Sequence, residues 1–220
     1  MGRLLHLVTP LHIRTKRDYL ARMVDDKVHC MKIAKKYGRH YWDGDRRYGY
    51  GGYHYDGRWK RVASALIRVY HLGPNAKILD VGCGKAHLLF EFKKLLPKAE
   101  VVGIDSSRYG IAHAPAGIRK HLRVHKAQEP YPWKTNYFDL VISLGCLHNL
   151  PIDDVEKALG HIERTGKKKY VMLESYRDDQ ELFNLECWAL TAQAIHKKDE
   201  WIWLYHHFGY TGDYEFIYFT

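Results

Sequence analysis

Lys77-Ile78-Leu79-Asp80-Val81-Gly82-Cys83-Gly84 reads as a buried strand that breaks into a glycine turn. An apolar helical pattern follows at Leu88-Leu89 and returns at Phe92 and Leu95-Leu96, which makes a strand–turn–helix unit. Gly82 and Gly84 suit backbone angles closed to side chains and let a ligand approach the bare main chain. A second strand, Glu100-Val101-Val102-Gly103-Ile104, ends in Asp105, about twenty residues past the turn, where a carboxylate accepts both hydroxyls of a ribose. Together these residues predict a nucleoside site.

A Gly-x-Gly also occurs as a plain tight turn, and Asp80 separates the two readings. A dinucleotide fold seats a pyrophosphate on a helix N-terminus and uses a fuller G-x-G-x-x-G, whereas His87 stands here at the third glycine position. A carboxylate just before the turn repels phosphate and attracts an ammonium or sulfonium centre. The expected ligand is a nucleoside bearing positive charge.

These residues resemble the class I S-adenosylmethionine-dependent methyltransferases over about residues 60 to 175. The resemblance implies that Asp80, Gly82, Cys83 and Gly84 contact the methionine part of S-adenosylmethionine, and that Asp105, flanked by Ile104 and Ser106, binds the ribose. A third signature appears in Tyr137-Phe138-Asp139-Leu140-Val141-Ile142-Ser143-Leu144, which brings Leu144 to the cofactor. Two positions depart from the family pattern. Ala86 stands where many members carry a further glycine, and Ala127 stands where an Asp often accepts the adenine amino group, leaving that work to Gln128 or a backbone carbonyl.

With 220 residues and 46% hydrophobic content the chain can bury one substantial core. No apolar run approaches the roughly 18 residues a bilayer span needs, and Leu4-Leu5-His6-Leu7-Val8 is too short for a secretory core, so no membrane partner and a cytoplasmic location are expected. Cys30, Cys83, Cys146 and Cys187 share no C-x-x-C spacing, and the 15 histidines are scattered, so no metal site is expected. The net charge of +10 is uneven: residues 1–61 hold 15 Lys/Arg against 6 Asp/Glu, while residues 62–220 hold 20 against 19. The excess implies an anionic partner for the N-terminal part, the alternative being a solvated basic surface.

That part divides the chain into residues 1–60, an N-terminal helix and aromatic, glycine-rich lid, and residues 61–220, the cofactor-binding domain. One helix is expected from Thr15, with Thr15 and Asp18 as a capping box and a stripe of Leu20, Met23, Val24, Val28, Met31 and Ala34 packed on the body. Residues 41–59 are too glycine-rich for a helix and too aromatic for a disordered linker. Tyr50 and Tyr53 offer rings and hydroxyls, Arg46 and Arg47 offer planar anion forks, and Gly49, Gly51 and Gly52 let the segment bend over a substrate. The alternative is that the tyrosines merely pack the loop onto the fold.

A helix over 58–70, a strand near 122–125, a helix over about 153–164, a strand over 169–174, a long helix near 181–196, a helical period through Trp201, Leu204, Tyr205 and Phe208, and a final strand over 214–219 complete the pattern. Alternating strands and helices predict an α/β fold, a doubly wound, mostly parallel, Rossmann-like sheet with ligands at the strands' carboxyl ends. The family usually closes with an antiparallel pair of strands, of which only one is legible. His148, after the fourth strand, is the best-placed candidate for a base, should the acceptor need one, and is otherwise a structural or positioning residue. Glu174, Ser175 and Tyr176 end the fifth strand and could orient an acceptor, with Tyr48 and Tyr53 closing from the lid. The chemistry expected is methyl transfer to an O or N atom of a small anionic acceptor. An RNA or protein methyltransferase is the alternative, and a non-catalytic cofactor-fold partner subunit is a second one. The oligomeric state is not legible.

Overall fold

Six parallel strands form the centre of the molecule in the order β3-β2-β1-β4-β5-β6. They are β1 (Lys77–Val81), β2 (Glu100–Asp105), β3 (Leu122–Val124), β4 (Phe138–Leu144), β5 (Gly166–Glu174) and β6 (Asp213–Ile217). The computed structural model describes residues 2–51 and 53–220, so Gly52 of the expected lid lies outside the described residues. Helices α1 (Thr9–His12), α2 (Tyr19–Val24), α3 (Lys27–Ala34), α4 (Arg39–Asp43), α5 (Lys60–Tyr70), α6 (His87–Leu95), α7 (Arg108–Ala112), α8 (Ile152–Thr165), α9 (Asp179–Trp188) and α10 (Lys198–His207) accompany them. The direction of winding reverses between β1 and β4, and such a switch point opens a crevice at the strands' carboxyl ends.

Both faces of the sheet are buried, which is why β1 and β4 read as apolar runs rather than alternating ones. Ile78, Leu140, Ile142 and Met172 pack on α5 and α6 through Val62, Leu66, Leu89 and Phe92. Leu79, Val81, Val141, Val171 and Leu173 pack on α8 and α10 through Val155, Leu159, Ile162, Trp201 and Tyr205. Among the described residues no helix is long and apolar enough to cross a membrane, and no cluster of His, Cys, Asp or Glu is placed to hold a metal ion.

The closing edge differs from the family expectation. β6 pairs with β5 in parallel, from Tyr170 opposite Asp213 to Glu174 opposite Ile217, and no antiparallel strand joins the sheet among the described residues. The chain's start covers the outer edge instead: Leu5 N–H donates to the Tyr214 carbonyl and Tyr214 N–H to that of Arg3. Buried Glu215 holds this strap by accepting from the N–H groups of Leu7 (2.6 Å), Val8 (2.9 Å) and Thr9 (2.6 Å), the Thr9 hydroxyl (2.7 Å) and the Tyr170 hydroxyl. The same carboxylate satisfies the first amides of α1, so a helix of only four residues persists.

Two helical expectations are corrected. The single helix from Thr15 is two helices, because Asp25-Asp26 interrupts it: Asp26 turns left-handed at φ 37° and its side chain accepts from His29 N–H. Asp18, not Thr15, caps α2 by accepting from Ala21 N–H. The expected stripe consequently faces outward at Leu20, Met23, Val24 and Val28, and Arg22, Cys30 and Ala34 are the buried side. The long helix near 181–196 stops at Trp188. Beyond it, Leu190 N–H donates to the Tyr50 hydroxyl, and those of Gln193 and Ala194 to the His148 carbonyl. Tertiary partners thus outcompete the helical ones that propensity favours.

Candidate active site

The glycine turn sits at the switch point. Gly82 and Gly84 adopt φ +78° and +55°, and a side chain at Gly82 would collide with Cys146. The N–H groups of Gly82 and Cys83 donate to the Ile104 carbonyl, so Ile104 serves through its backbone while its side chain is wholly in the core. Asp105 ties the turn to the next loop, accepting from Gly84 N–H at 2.8 Å and Ser107 N–H at 2.7 Å. Burial raises its pKa, which those two donors oppose. Asp80 is 4% exposed, and burial, followed by the charge of Asp105, pushes its carboxyl up to about 8.

Two cavities flank this turn. The larger, about 290 Å³, lies between Asp105, Ser106, Ala127 and Gln128 on the sheet side and Tyr37 and Trp42 on the other. The smaller, about 170 Å³, is walled by Asp80, Cys83, Gly84, Leu144, Tyr53 and Trp59. Both share Tyr41, Trp42, Gly82 and Gly145 as walls. Their chemistry suits a ligand with a cationic centre near Asp80 and a diol near Asp105, whose two oxygens keep lone pairs beyond those given to the backbone. Gln128 already donates its amide to Asp154 at 3.1 Å, which leaves its carbonyl oxygen for the cavity.

The N-terminal segment builds the outer wall. Trp42 packs so closely on the turn that a Cβ at Gly84 would come within 2.6 Å of its ring, and one at Gly110 within 3.2 Å. Its indole N–H is shared between the Ser107 hydroxyl (2.8 Å) and the Tyr37 carbonyl (3.0 Å). Tyr53 donates to the Tyr41 hydroxyl at 2.9 Å, and the Trp42 and Tyr53 rings meet at 4.7 Å. Lys85 of the turn pairs with Asp43 at the end of α4. Sequence reasoning missed Tyr37 and Gln193, and it reached Tyr41 and Trp42 only as members of the lid segment 41–59; the density of rings around Trp42 was the signal for Tyr37, while Gln193 carried none.

Residues assigned to the acceptor separate into two groups. Buried His148 and half-buried Glu174 lie side by side: Glu174 N–H points at His148 Nδ1 (3.4 Å), and His148 Nε2 lies 3.4 Å from a Glu174 carboxylate oxygen. Burial drives the imidazole down to about 3, so it is neutral and forms no ion pair with the carboxylate. Burial pushes Glu174 up to about 7, opposed by Arg17; burial also raises the pKa values of Tyr50 and Tyr53, and the Glu174 charge adds to that. Neither His148 nor Glu174 is a wall of the two cavities, and Tyr48 lies outside them too, facing His29 and His40 edge-on. Arg47 is spent on Asp25 at 2.7 Å, Arg46 lies against Trp188, and Tyr176 sits at the margin beside Lys197.

With this geometry in place, likeness to known proteins is informative. The methyltransferase domain family matches residues 78–169. The protein-lysine N-methyltransferase EFM4 of Saccharomyces cerevisiae is 28% identical over 122 residues, covering 49% of this chain and 53% of the relative, so the chain spans about half the length of that curated relative. The YcgJ protein of Bacillus subtilis superposes with a TM-score of 0.53 at 17% identity over 66% of each chain. The BH2331 protein of Bacillus halodurans C-125 does so with a TM-score of 0.53 at 20% identity over 67% of this chain and 68% of its own. Both share the fold.

Proposed function

We infer that this chain, which belongs to the class I S-adenosylmethionine-dependent methyltransferase family, methylates an O or N atom of a small anionic acceptor. The observation that carries the reading is the roof of Tyr37, Tyr41, Trp42 and Tyr53 over the switch point, which leaves cavities sized for a nucleoside cofactor and a small second molecule. The cofactor supplies an electrophilic methyl group on a sulfonium whose departing thioether is neutral. Asp105 holds the ribose hydroxyls, Asp80 faces the cationic end, Gly82, Cys83 and Gly84 line the methionine part, and Ser106, Ala127 and Gln128 border the base. Tyr41 and Trp42 would exclude water and align the acceptor with the methyl group, an orientation that supplies much of the rate. Glu174 takes the acceptor's proton, and neutral His148 positions it.

A protein amine as acceptor is the second reading. The yeast relative is a protein-lysine methyltransferase, and two carboxylates, buried Asp80 and half-buried Glu174, suit an ammonium. Transfer of labelled methyl groups, compared across small phosphorylated or carboxylated amines and alcohols, lysine peptides and RNA, decides between them. Turnover confined to a polymer would overturn the small-acceptor reading, and no turnover despite cofactor binding would favour a non-catalytic partner subunit.

Asp80 gives this reading a proton signature. A carboxyl held near 8 is largely protonated at pH 7, and a cation placed beside it lowers its pKa. Cofactor binding at pH 7 is therefore expected to release up to about one proton, and affinity to rise with pH until about 8. Calorimetry in buffers of different ionisation enthalpy reads the release, which Asp80→Asn should abolish. Unchanged release in that variant would assign the proton elsewhere.

A further inference from the structure

Away from the glycine turn, a third cavity of about 370 Å³ opens beside Trp188, walled by Thr15, Arg17, Arg46, Tyr50, Arg58 and Trp188. Its charge is balanced only at a distance, by Glu174 acting on Arg17 and Asp25 on Arg22. The guanidinium groups of Arg17, Arg22 and Arg46 stand 5.6, 4.4 and 5.2 Å from the centroid of the Trp188 ring, and no carboxylate pairs with any of the three among the described residues. Arg58 has an exposed partner, Asp56. Arg22 spends its donors on the carbonyls of Arg47 and Gly49 and so fixes the lid from beneath the ring. Arg17 is held by the His12 and Thr15 carbonyls, yet its Nε–H is buried with no acceptor. Burial lowers the pKa values of Arg17 and Arg22, and the charge of Arg46 lowers them further. Gathering like charges around one half-enclosed space opposes folding unless an anion joins them.

We propose that Arg17 and Arg46, with Arg58 at the rim and Arg22 behind Trp188, bind a phosphate group of the methyl acceptor. Planar guanidinium forks match a tetrahedral oxyanion, and the Trp188 ring holds the guanidinium groups of Arg17 and Arg46 together at the cavity wall. The subsite is one ring from the reaction centre. Tyr50 is a wall of this cavity, and its ring lies 5.9 Å from that of Tyr41, which walls both cavities at the strand ends. Tyr50 also senses the charge of Glu174. An acceptor anchored by its phosphate would therefore extend past Tyr50 toward Glu174 and the methyl group. The proposal rests on the small-acceptor reading and adds to it the anion, its place and Arg17, whose part the lid's composition did not show.

Titration of the intact protein with phenyl phosphate and with inorganic phosphate, followed by calorimetry and by Trp fluorescence, tests the subsite separately from the cofactor. Phenyl phosphate should bind with an affinity that falls as salt rises. Arg46→Gln, on an exposed side chain, should weaken it by about tenfold and Arg17→Gln by more, while Lys120→Gln changes nothing. Cofactor affinity should stay within about twofold in all three. Equal binding by wild type and Arg46→Gln, or no phosphate binding while the cofactor binds normally, would overturn the subsite and leave the methyltransferase reading standing. Failure of cofactor binding in the wild type would count against that reading instead. Far tighter binding of an RNA oligonucleotide, lost in Arg46→Gln, would overturn the small-acceptor assignment by moving the arginines to a nucleic-acid backbone.

Discussion

Turnover of Glu174→Gln is expected to fall by about 10²- to 10⁴-fold with cofactor affinity little changed, the loss typical of removing a positioned base. His148 was the candidate base, with a structural role as its alternative, and we propose its neighbour Glu174 instead. An imidazole held near 3 by burial takes a proton poorly at neutral pH, whereas a carboxylate pushed up to about 7 is tuned for it. The wild-type rate should rise with pH and level off above about 7. That limb should vanish in Glu174→Gln and persist in His148→Gln. Stability moves the opposite way at Glu174: a carboxyl raised from 4.5 in the folded state binds more protons folded than unfolded, so its contribution falls as pH rises from about 4.5 to 7. His148, lowered from 6.5, contributes stability above about 6.5 that is lost as pH falls toward 3. A pH limb that survives Glu174→Gln and disappears in His148→Gln would return the base to His148.

The sheet was legible because its strands are buried on both faces, and a run such as Lys77–Val81 cannot be confused with the helical period that follows at Leu88. The glycine turn was legible because its conformations exclude side chains. What could not be read was pairing between distant residues. Arg47 was expected to face a substrate, but Asp25, 22 residues away, claims it at 2.7 Å. Tyr48 shares the composition of the lid, yet whether a ring turns toward His29 or toward the cavity depends on how α3 and α4 fold back. The end of α9 was misplaced because local propensity says nothing of Tyr50 and His148 supplying partners to the chain beyond Trp188. Trp42 was visible only as one ring among many, although it packs on two glycines that lie 26 residues apart.

Replacing Asp105 by Ala should raise the dissociation constant for S-adenosylmethionine by about 10- to 100-fold, since buried hydroxyl partners would lose an acceptor. The structure adds a second consequence. Asp105 also accepts from Gly84 N–H and Ser107 N–H, so Ala strands two backbone donors and loosens the glycine turn itself. Asp105→Asn separates the two effects, because an amide keeps one accepting oxygen but presents an NH₂ group where the second acceptor stood. Weak cofactor binding in Asn with near-wild-type thermal stability would assign Asp105 mainly to the ligand. Equal losses of stability in Ala and Asn would make it first a brace of the turn. Ser107→Ala is the discriminating neighbour: its hydroxyl accepts from Trp42 and from Gly110 N–H, while its backbone N–H to Asp105 is untouched. It should loosen the aromatic wall without disturbing the carboxylate. Cofactor affinity unchanged in Asp105→Ala, with the fold intact by circular dichroism, would remove Asp105 from the site.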